Sequence, residues 1–298
     1  MKKLRIGYFA DGPWSHKAFE YIISDNDIEI AFITPRYDTT DSQLKDFSVT
    51  HNIPYIKFKN VNHPEALSKI SSYDCDLLVS MSFNQIFKKD ILTLTKRGVI
   101  NCHAGKLPFY RGRNILNWAL INDEKEFGIT VHFVDEGIDT GDIIMQRCFP
   151  ITEKDTYKTL LDTSYTECAQ ILYDSLQLFK NAVVNRTTQS MIHPLGFYCG
   201  KRGEGDEIID WNQNSRDLFN FIRSICDPGP KATTYLNGEK ITINTAVFFE
   251  NASTYKGIPG QILKKTDKGY LVKSKDSFIE IQETTGKINV GKTFGNGI

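Results

Sequence analysis

Short apolar runs alternate with longer amphipathic stretches along the first half of this chain, and that alternation limits the fold more than any other feature. Leu4–Ala10, Ile28–Thr34, Tyr55–Phe58, Leu77–Ser80 and Val99–Cys102 are brief and apolar, as strands are. Trp14–Ser24, Ser42–Asn52, Pro64–Ser71 and Phe87–Thr95 have the length and periodicity of helices. Alternation of this kind produces parallel strands joined by crossover helices, so an open, mainly parallel α/β sheet is expected. Two further strand-like segments, Ile129–Val134 and Ile143–Phe149, flank an acidic glycine loop. Tyr157 to about Val184 then closes this part as a long helix.

Between residues 185 and 205 the chain turns polar and glycine-rich, as linkers do. Beyond lies a helix at Ser215–Cys226, stopped by Pro228-Gly229-Pro230, and then several short strands separated by turns such as Asn237-Gly238. Many short strands in about 65 residues favour a small barrel or sandwich. The expected division is a catalytic domain over 1–184, a linker over 185–205 and a second domain over 206–298. It predicts that removing 206–298 leaves the intrinsic chemistry largely in place.

Lys+Arg and Asp+Glu both number 36, so no bulk positive field gathers nucleic acid or an anionic membrane. No apolar run approaches the ~20 residues of a membrane span. Arg5 interrupts the first apolar stretch, which therefore reads as a strand rather than a signal peptide. The six cysteines are scattered without a CxxC pair, the pattern of a reduced cytoplasmic protein rather than a disulfide scaffold or zinc module.

In open α/β sheets, ligands bind outside the carboxyl ends of the strands. Asn101-Cys102-His103 stands at such an end, and Asp135 to Asp142 joins the two strands that follow. Asn101 and His103, two apart, point to one side of an extended chain, and a returning loop could bring Asp139 to the imidazole. An amide donor, a histidine and an orienting carboxylate suit a reaction in which negative charge grows on a carbonyl oxygen while a proton leaves an attacking amine. Spacing alone favours a plainer reading. A lone strand-end histidine is usually a satisfied one, and an acidic glycine loop is usually a turn. The loop also does not match a calcium-binding spacing.

The surrounding string is more specific. Asn101-Cys102-His103-Ala104-Gly105-Lys106-Leu107-Pro108-Phe109-Tyr110-Arg111-Gly112-Arg113, Asn117-Trp118-Ala119-Leu120, Gly128 to Phe133 and Ile138-Asp139-Thr140-Gly141 resemble the folate-dependent formyltransferases. Ile209-Asp210-Trp211, Ile222-Arg223-Ser224 and Asp227-Pro228-Gly229-Pro230 resemble the C-terminal extension of that family's tRNA and amino-sugar branches. Lys231-Ala232 departs from the Pro-Gly-Ala expected there. The resemblance implies a Rossmann-like sheet domain followed by a small OB-like β-barrel. It further implies N10-formyltetrahydrofolate as co-substrate, no metal, and Asn101, His103 and Asp139 as the catalytic trio. Asn101 and His103 would donate to the developing oxyanion while Asp139 holds the imidazole. It places the folate against Phe83, Gln85, Ile86 and Phe87, with Asp135 and Gly137 opposite. Phe83, Ile86 and Phe87 are equally readable as core or helix-start residues.

The acceptor is expected to be the amine of a dTDP- or UDP-linked amino-deoxy sugar, for surface-glycan or O-antigen biosynthesis. Residues 34–50 set Arg36 and Lys45 against Asp38, Asp41 and Asp46, and residues 206–298 carry 12 basic and 11 acidic side chains. Few charges are left to neutralise tRNA phosphates, so nucleic acid is not the expected partner. With no dinucleotide or Walker loop present, the candidates for base and phosphates are Trp14, His16, Lys17, Lys106, Arg111 and Arg113. Each of these is also readable as a solvated charge or core cover. Methionyl-tRNA formylation is the alternative. A non-catalytic nucleotide-sugar binder and a formyl-folate hydrolase are further ones, although the hydrolase's usual N-terminal domain has no room here. A homodimer through the C-terminal barrel or a neighbouring surface is conceivable.

Overall fold

The structure, a computed structural model, describes residues 3–295. Its first half alternates β1 (Leu4–Ala10), α1 (Pro13–Ser24), β2 (Ile28–Thr34), α2 (Ser42–Thr50), α3 (Pro64–Ser71), β3 (Leu77–Met81), α4 (Lys89–Leu92) and β4 (Val99–His103). Next come β5 (Arg111–Gly112), α5 (Ile115–Ile121), β6 (Glu126–Phe133), β7 (Ile143–Pro150), α6 (Tyr157–Lys180), α7 (Gln189–Ile192) and β8 (Tyr198–Cys199). The remainder is α8 (Ser215–Ser224), β9 (Ala232–Leu236), β10 (Glu239–Val247), β11 (Ile262–Lys265), β12 (Gly269–Lys273) and β13 (Phe278–Thr284).

A six-stranded sheet has the order β2-β1-β3-β4-β6-β7. β1 pairs in parallel with β2 and β3, and β3 with β4, whereas β4 and β6 are antiparallel. The expected α/β sheet is present, with two local corrections. Tyr55–Phe58 supplies one bridge, Ile33 to Tyr55, rather than a strand. The helix expected over Phe87–Thr95 shrinks to α4, because Phe83 and Phe87 are drawn into an aromatic cluster around Phe9. Phe9 is fully buried and meets Phe32, Phe83 and Phe87 edge-on, at 5.5, 5.4 and 5.1 Å between ring centres. Such pairs add about 0.5–1.5 kcal/mol each beyond their burial.

Contacts divide the chain into two compact units along lines unlike the sequence boundaries. The first runs up to Gly112 and includes Phe127–Phe149 and Asp162–Cys199. The second takes Arg113–Glu126, Pro150–Leu161 and the chain from Gly200 onward. Residues 185–199 cluster with the first unit. Thr187 bridges Ile143 at the start of β7, and α7 and β8 follow.

In the second unit β9–β13 form a five-stranded antiparallel sheet, order β11-β12-β13-β10-β9. Residues near its end join both rims: Thr293 bridges Gln261 beside β11, and Gly295 bridges Tyr235 on β9. Ile209, Trp211, Leu218, Ile222, Ile241, Ile279 and Phe294 are among its core residues. Asn117 on α5 donates to the Ser224 carbonyl of α8 at 2.6 Å. Among the described residues, no helix is long and apolar enough to cross a membrane.

Asp25 caps α1 at its C-terminal end, where the helix dipole disfavours an acid. The last turns of α6 supply the compensation. Gln177 donates to Asp25 Oδ2 at 2.8 Å and Tyr173 at 3.1 Å, and Lys180 Nζ lies 3.2 Å away. Burial pushes this carboxyl up, but the Asp27 N–H and these three side chains outweigh it and hold the group down at about 2.

Two outcomes are expected. Asp25→Asn should lower stability at neutral pH by about 1–2 kcal/mol, allowing for solvent screening, as measured by urea unfolding. A depressed carboxyl stabilises above its unfolded pKa, so the deficit should be full above about pH 4 and vanish as the pH falls towards 2. Removing 206–298, which the sequence boundaries make harmless, should instead yield an aggregating protein that binds a hydrophobic dye. The cut takes α8 and the sheet from the unit that holds α5.

Candidate active site

β4 ends at His103, and β6 runs beside it with His132 opposite Asn101 and Thr130 opposite His103. Strand side chains alternate between faces, and cross-strand pairs share one. Asn101, His103 and His132 therefore stand together. Cys102 points the other way, its Sγ donating to the Cys168 carbonyl on α6 at 3.5 Å.

The loop from β6 to β7 folds back over this face and delivers Asp139. Its Oδ2 lies 3.6 Å from His103 Nδ1 and its Oδ1 lies 3.4 Å from His132 Nε2. All three side chains are nearly buried, at 9%, 13% and 2% exposure for His103, Asp139 and His132. Burial alone would push the carboxyl up. The His103 charge, the hydrogen bond and charge of His132, and the Gly112 N–H at 2.9 Å outweigh it and hold Asp139 well below the usual carboxylate range. The site thus contains a fixed anion at neutral pH.

Two backbone carbonyls orient the rings. His132 Nδ1 donates to the Phe133 carbonyl at 2.7 Å, so Nε2 faces Asp139 and the Asn101 carboxamide, 3.3 Å away. His103 Nε2 donates to the Tyr110 carbonyl at 2.7 Å, which leaves Nδ1 towards Asp139. The ring nitrogen expected to face the substrate is therefore engaged by the chain itself in this conformation.

Tyr110 reaches that position from the left-handed region, at φ 55°. Gly105 makes the approach possible: a Cβ there would collide with both His103 Nε2 and the Tyr110 carbonyl. Thr130 Oγ1 donates to the Gly105 carbonyl at 2.7 Å, and Gln146 Nε2 donates to Thr130 Oγ1 and the Leu107 carbonyl at 2.8 and 2.9 Å. Asp139 is also left-handed, at φ 54°, a conformation that costs a non-glycine residue about 1–2 kcal/mol. Its loop is closed by Asp135, whose Oδ1 accepts from the Gly137 N–H at 3.1 Å and Thr140 Oγ1 at 2.5 Å.

The remaining sequence candidates scatter. Trp14 packs edge-on against Tyr165 of α6 at 4.9 Å. His16 gives its Nε2 to Asp41, 2.8 Å from both oxygens, and Asp41 also caps α2 through the Leu44 N–H. Lys17 is exposed, 3.5 Å from Glu20 on the same helix. All three stand on α1, each with a contact inside the chain. Arg111 lies in the first unit with its Nε and Nη2 on Gln189 Oε1 at 3.1 and 2.6 Å. Arg113 is an exposed residue of the second unit. Lys106 is half-buried, its stem lying where a side chain on Gly128 would be.

Of the folate candidates, Phe87 is buried and stacked with Phe83. Gln85 is spent on the Val61 N–H and the Phe58 carbonyl, both at 2.9 Å, and Ile86 is 61% exposed. Asp135 lines a cavity of about 640 Å³ with Leu92, Val99, Phe133, Val134 and Asp142 among its other walls. The sequence reading passed over His132, the Tyr110 carbonyl and Gln189. Strand alternation on β6 could have found His132, which falls on the same face as Thr130. Nothing local marks the other two.

Known proteins share this architecture. The formyl transferase family pattern matches residues 28–176, and the formyl transferase C-terminal domain pattern matches 203–298. A methionyl-tRNA formyltransferase of Ruminiclostridium cellulolyticum is 32% identical over 240 residues, 80% of this chain and 76% of that protein. The structure of WlaRD, a sugar 3N-formyltransferase solved with dTDP and 5-N-formyl-THF, superposes with a TM-score of 0.71 at 22% identity, covering 97% of this chain and 99% of that one. An N-formyltransferase from Helicobacter canadensis, solved with folinic acid and dTDP-3-aminofucose, gives 0.69 at 21% identity over 96% and 100% of the two chains. With both domain patterns matched in order and a relative above 30% identity aligned over most of its length, this chain belongs to the formyltransferase family.

Proposed function

We propose that the protein transfers a formyl group from N10-formyltetrahydrofolate to the amine of a dTDP- or UDP-linked amino-deoxy sugar, as a step in building a surface glycan. The observation that carries the chemistry is the meeting of Asn101, His103 and Asp139 at the end of β4. The near-equal charges of residues 206–298 and the acidic balance of residues 34–50 favour a small acceptor over tRNA. The full-length superposition on sugar N-formyltransferases supports the same choice. Methionyl-tRNA is the second reading, favoured by the sequence relative described above.

The cavity beside the Asp135 loop adjoins the segment that carries Asp139 and is the candidate place for the folate head. Its volume is within the ~300–1,000 Å³ of small-molecule sites. Its walls mix apolar Leu92 and Val134 with the acids Asp135 and Asp142 and the bases Lys96, Arg97 and Arg186, the last lying 3.7 Å over the Phe133 ring. The folate supplies the activated formyl carbon.

The residues divide the work. Asn101 Nδ2 donates to the formyl oxygen as negative charge grows there, a contribution of about 3 kcal/mol in comparable sites. His103 Nε2 donates to the same oxygen by exchanging the Tyr110 carbonyl for a charged and therefore stronger acceptor. Asp139, ionised and fixed, orients the His103 imidazole and helps move the amine proton, through water, to the folate nitrogen that leaves as the new C–N bond to the acceptor forms.

Asn101→Ala and His103→Ala should each lower kcat at least 100-fold with unchanged far-UV circular dichroism. Near-normal turnover in both would remove the assigned roles. Gly105→Ala should be comparably damaging, because a methyl group there displaces His103, and its KM values should change little. For the acceptor, release of tetrahydrofolate is to be followed with dTDP- and UDP-amino sugars, with methionyl-tRNA, and with no amine. Turnover with a sugar alone is expected. Turnover confined to tRNA overturns the sugar assignment, and turnover without amine identifies a hydrolase.

A further inference from the structure

Gln189 is a polar side chain only 3% exposed, and the proposed chemistry makes no use of it. It opens α7, anchored by the paired hydrogen bonds of Thr187 and Ile143 at 2.8 and 2.9 Å. Its amide is spent in two directions. Oε1 accepts from Arg111 Nε and Nη2, while Nε2 donates to the carbonyls of Asp139 at 2.8 Å and Gly141 at 2.9 Å. A carboxamide has two acceptor positions and two N–H donors, and all four are filled here.

The two ends have different consequences. Asp139 is held left-handed at the inner end of a loop whose residues 135–138 are exposed, so a partner for its peptide carbonyl helps that conformation persist. Gln189 is that partner and pins Gly141 at the same time. Arg111 is fixed so that its guanidinium lies 5.5 Å above the Tyr198 ring, in space kept open by Gly196, where a Cβ would come within 2.7 Å of Cζ.

We propose that Gln189 is a positioning residue, a bracket that locks the backbone of the catalytic aspartate and fixes Arg111 against the same carboxamide. The part concerning Asp139 rests on the catalytic role assigned to that residue, whichever amine is the acceptor.

Gln189→Glu separates bracket from filler: it keeps size and the acceptors for Arg111 but loses both N–H donors. Gln189→Leu removes both functions. With N10-formyltetrahydrofolate and the acceptor found above, kcat should fall at least 10-fold in both variants while KM for the folate stays within threefold. The pH profile of kcat should also move by half a unit or more. Independently of any substrate, amide hydrogen exchange across residues 135–142 should quicken at least 10-fold while β1 and β3 are unchanged. Where Gln189→Leu does not fold, Gln189→Glu carries the test. Wild-type kcat in Gln189→Glu, an unmoved pH profile, or unchanged exchange across 135–142 would each overturn the bracket. Were the wild type to formylate no acceptor, the functional reading would fail while the exchange measurement still decided the bracket.

Discussion

A carboxylate held between two imidazoles, almost out of water, is the constraint from which the site follows. Taken alone, burial would push the Asp139 carboxyl up. It stays charged because His103, His132 and the Gly112 N–H surround it. Removing one partner of such a set leaves an uncompensated buried charge, typically a loss of about 3–5 kcal/mol. The sheet, the glycines and the loop closure all serve to bring four chain segments to one carboxyl group. Antiparallel β6 contributes His132, the end of β4 contributes His103, β5 contributes the Gly112 N–H, and the β6–β7 loop contributes the acid itself.

The scaffold around this charge is built largely from backbone carbonyls. Tyr110 receives His103, Phe133 receives His132, and Gly105 receives Thr130. Backbone acceptors are set by the fold rather than by residue type. That explains why short glycine-containing stretches recur here: they let main chain approach side chain closely. Gly105 and Gly141 are the clearest cases, the second because the Phe133 carbonyl occupies the place of its absent Cβ. The left-handed conformations of Tyr110 and Asp139 are the local cost of that geometry.

What could be read from sequence followed the reach of each signal. The parallel strands β1 to β4 were legible because each is a short apolar run, and a buried parallel strand needs little else. Asn101 and His103 were legible because a two-residue spacing on a strand defines a face. Gln189 was not, because a polar residue among Thr187, Thr188 and Ser190 has the composition of a loop. Its burial depends on Arg111 and Asp139, residues about 50 to 80 positions away. Phe83 and Phe87 suited core and ligand pocket equally well, and their packing against Phe9, with Phe87 buried and Phe83 half-buried, depends on a residue more than 70 positions away. Trp14 and His16 likewise had partners, Tyr165 and Asp41, that periodicity does not reveal. Within 185–205 the pairing of Thr187 with Ile143 is likewise invisible to composition, which measures flexibility in isolation.

The joining of both rims of the C-terminal sheet has a consequence outside catalysis. An open antiparallel sheet exposes rows of unpaired amides along its outer strands, which recruit strands from other molecules. Here Thr293 and Gly295 meet Gln261 and Tyr235, so a segment after β13 interrupts both rows. The closing residues follow β13 in the chain, so ribosomal synthesis delivers them after the whole of β9 to β13. A nascent chain that has made β9 to β13 but not yet this segment is the species most open to pairing with its neighbours on a polysome.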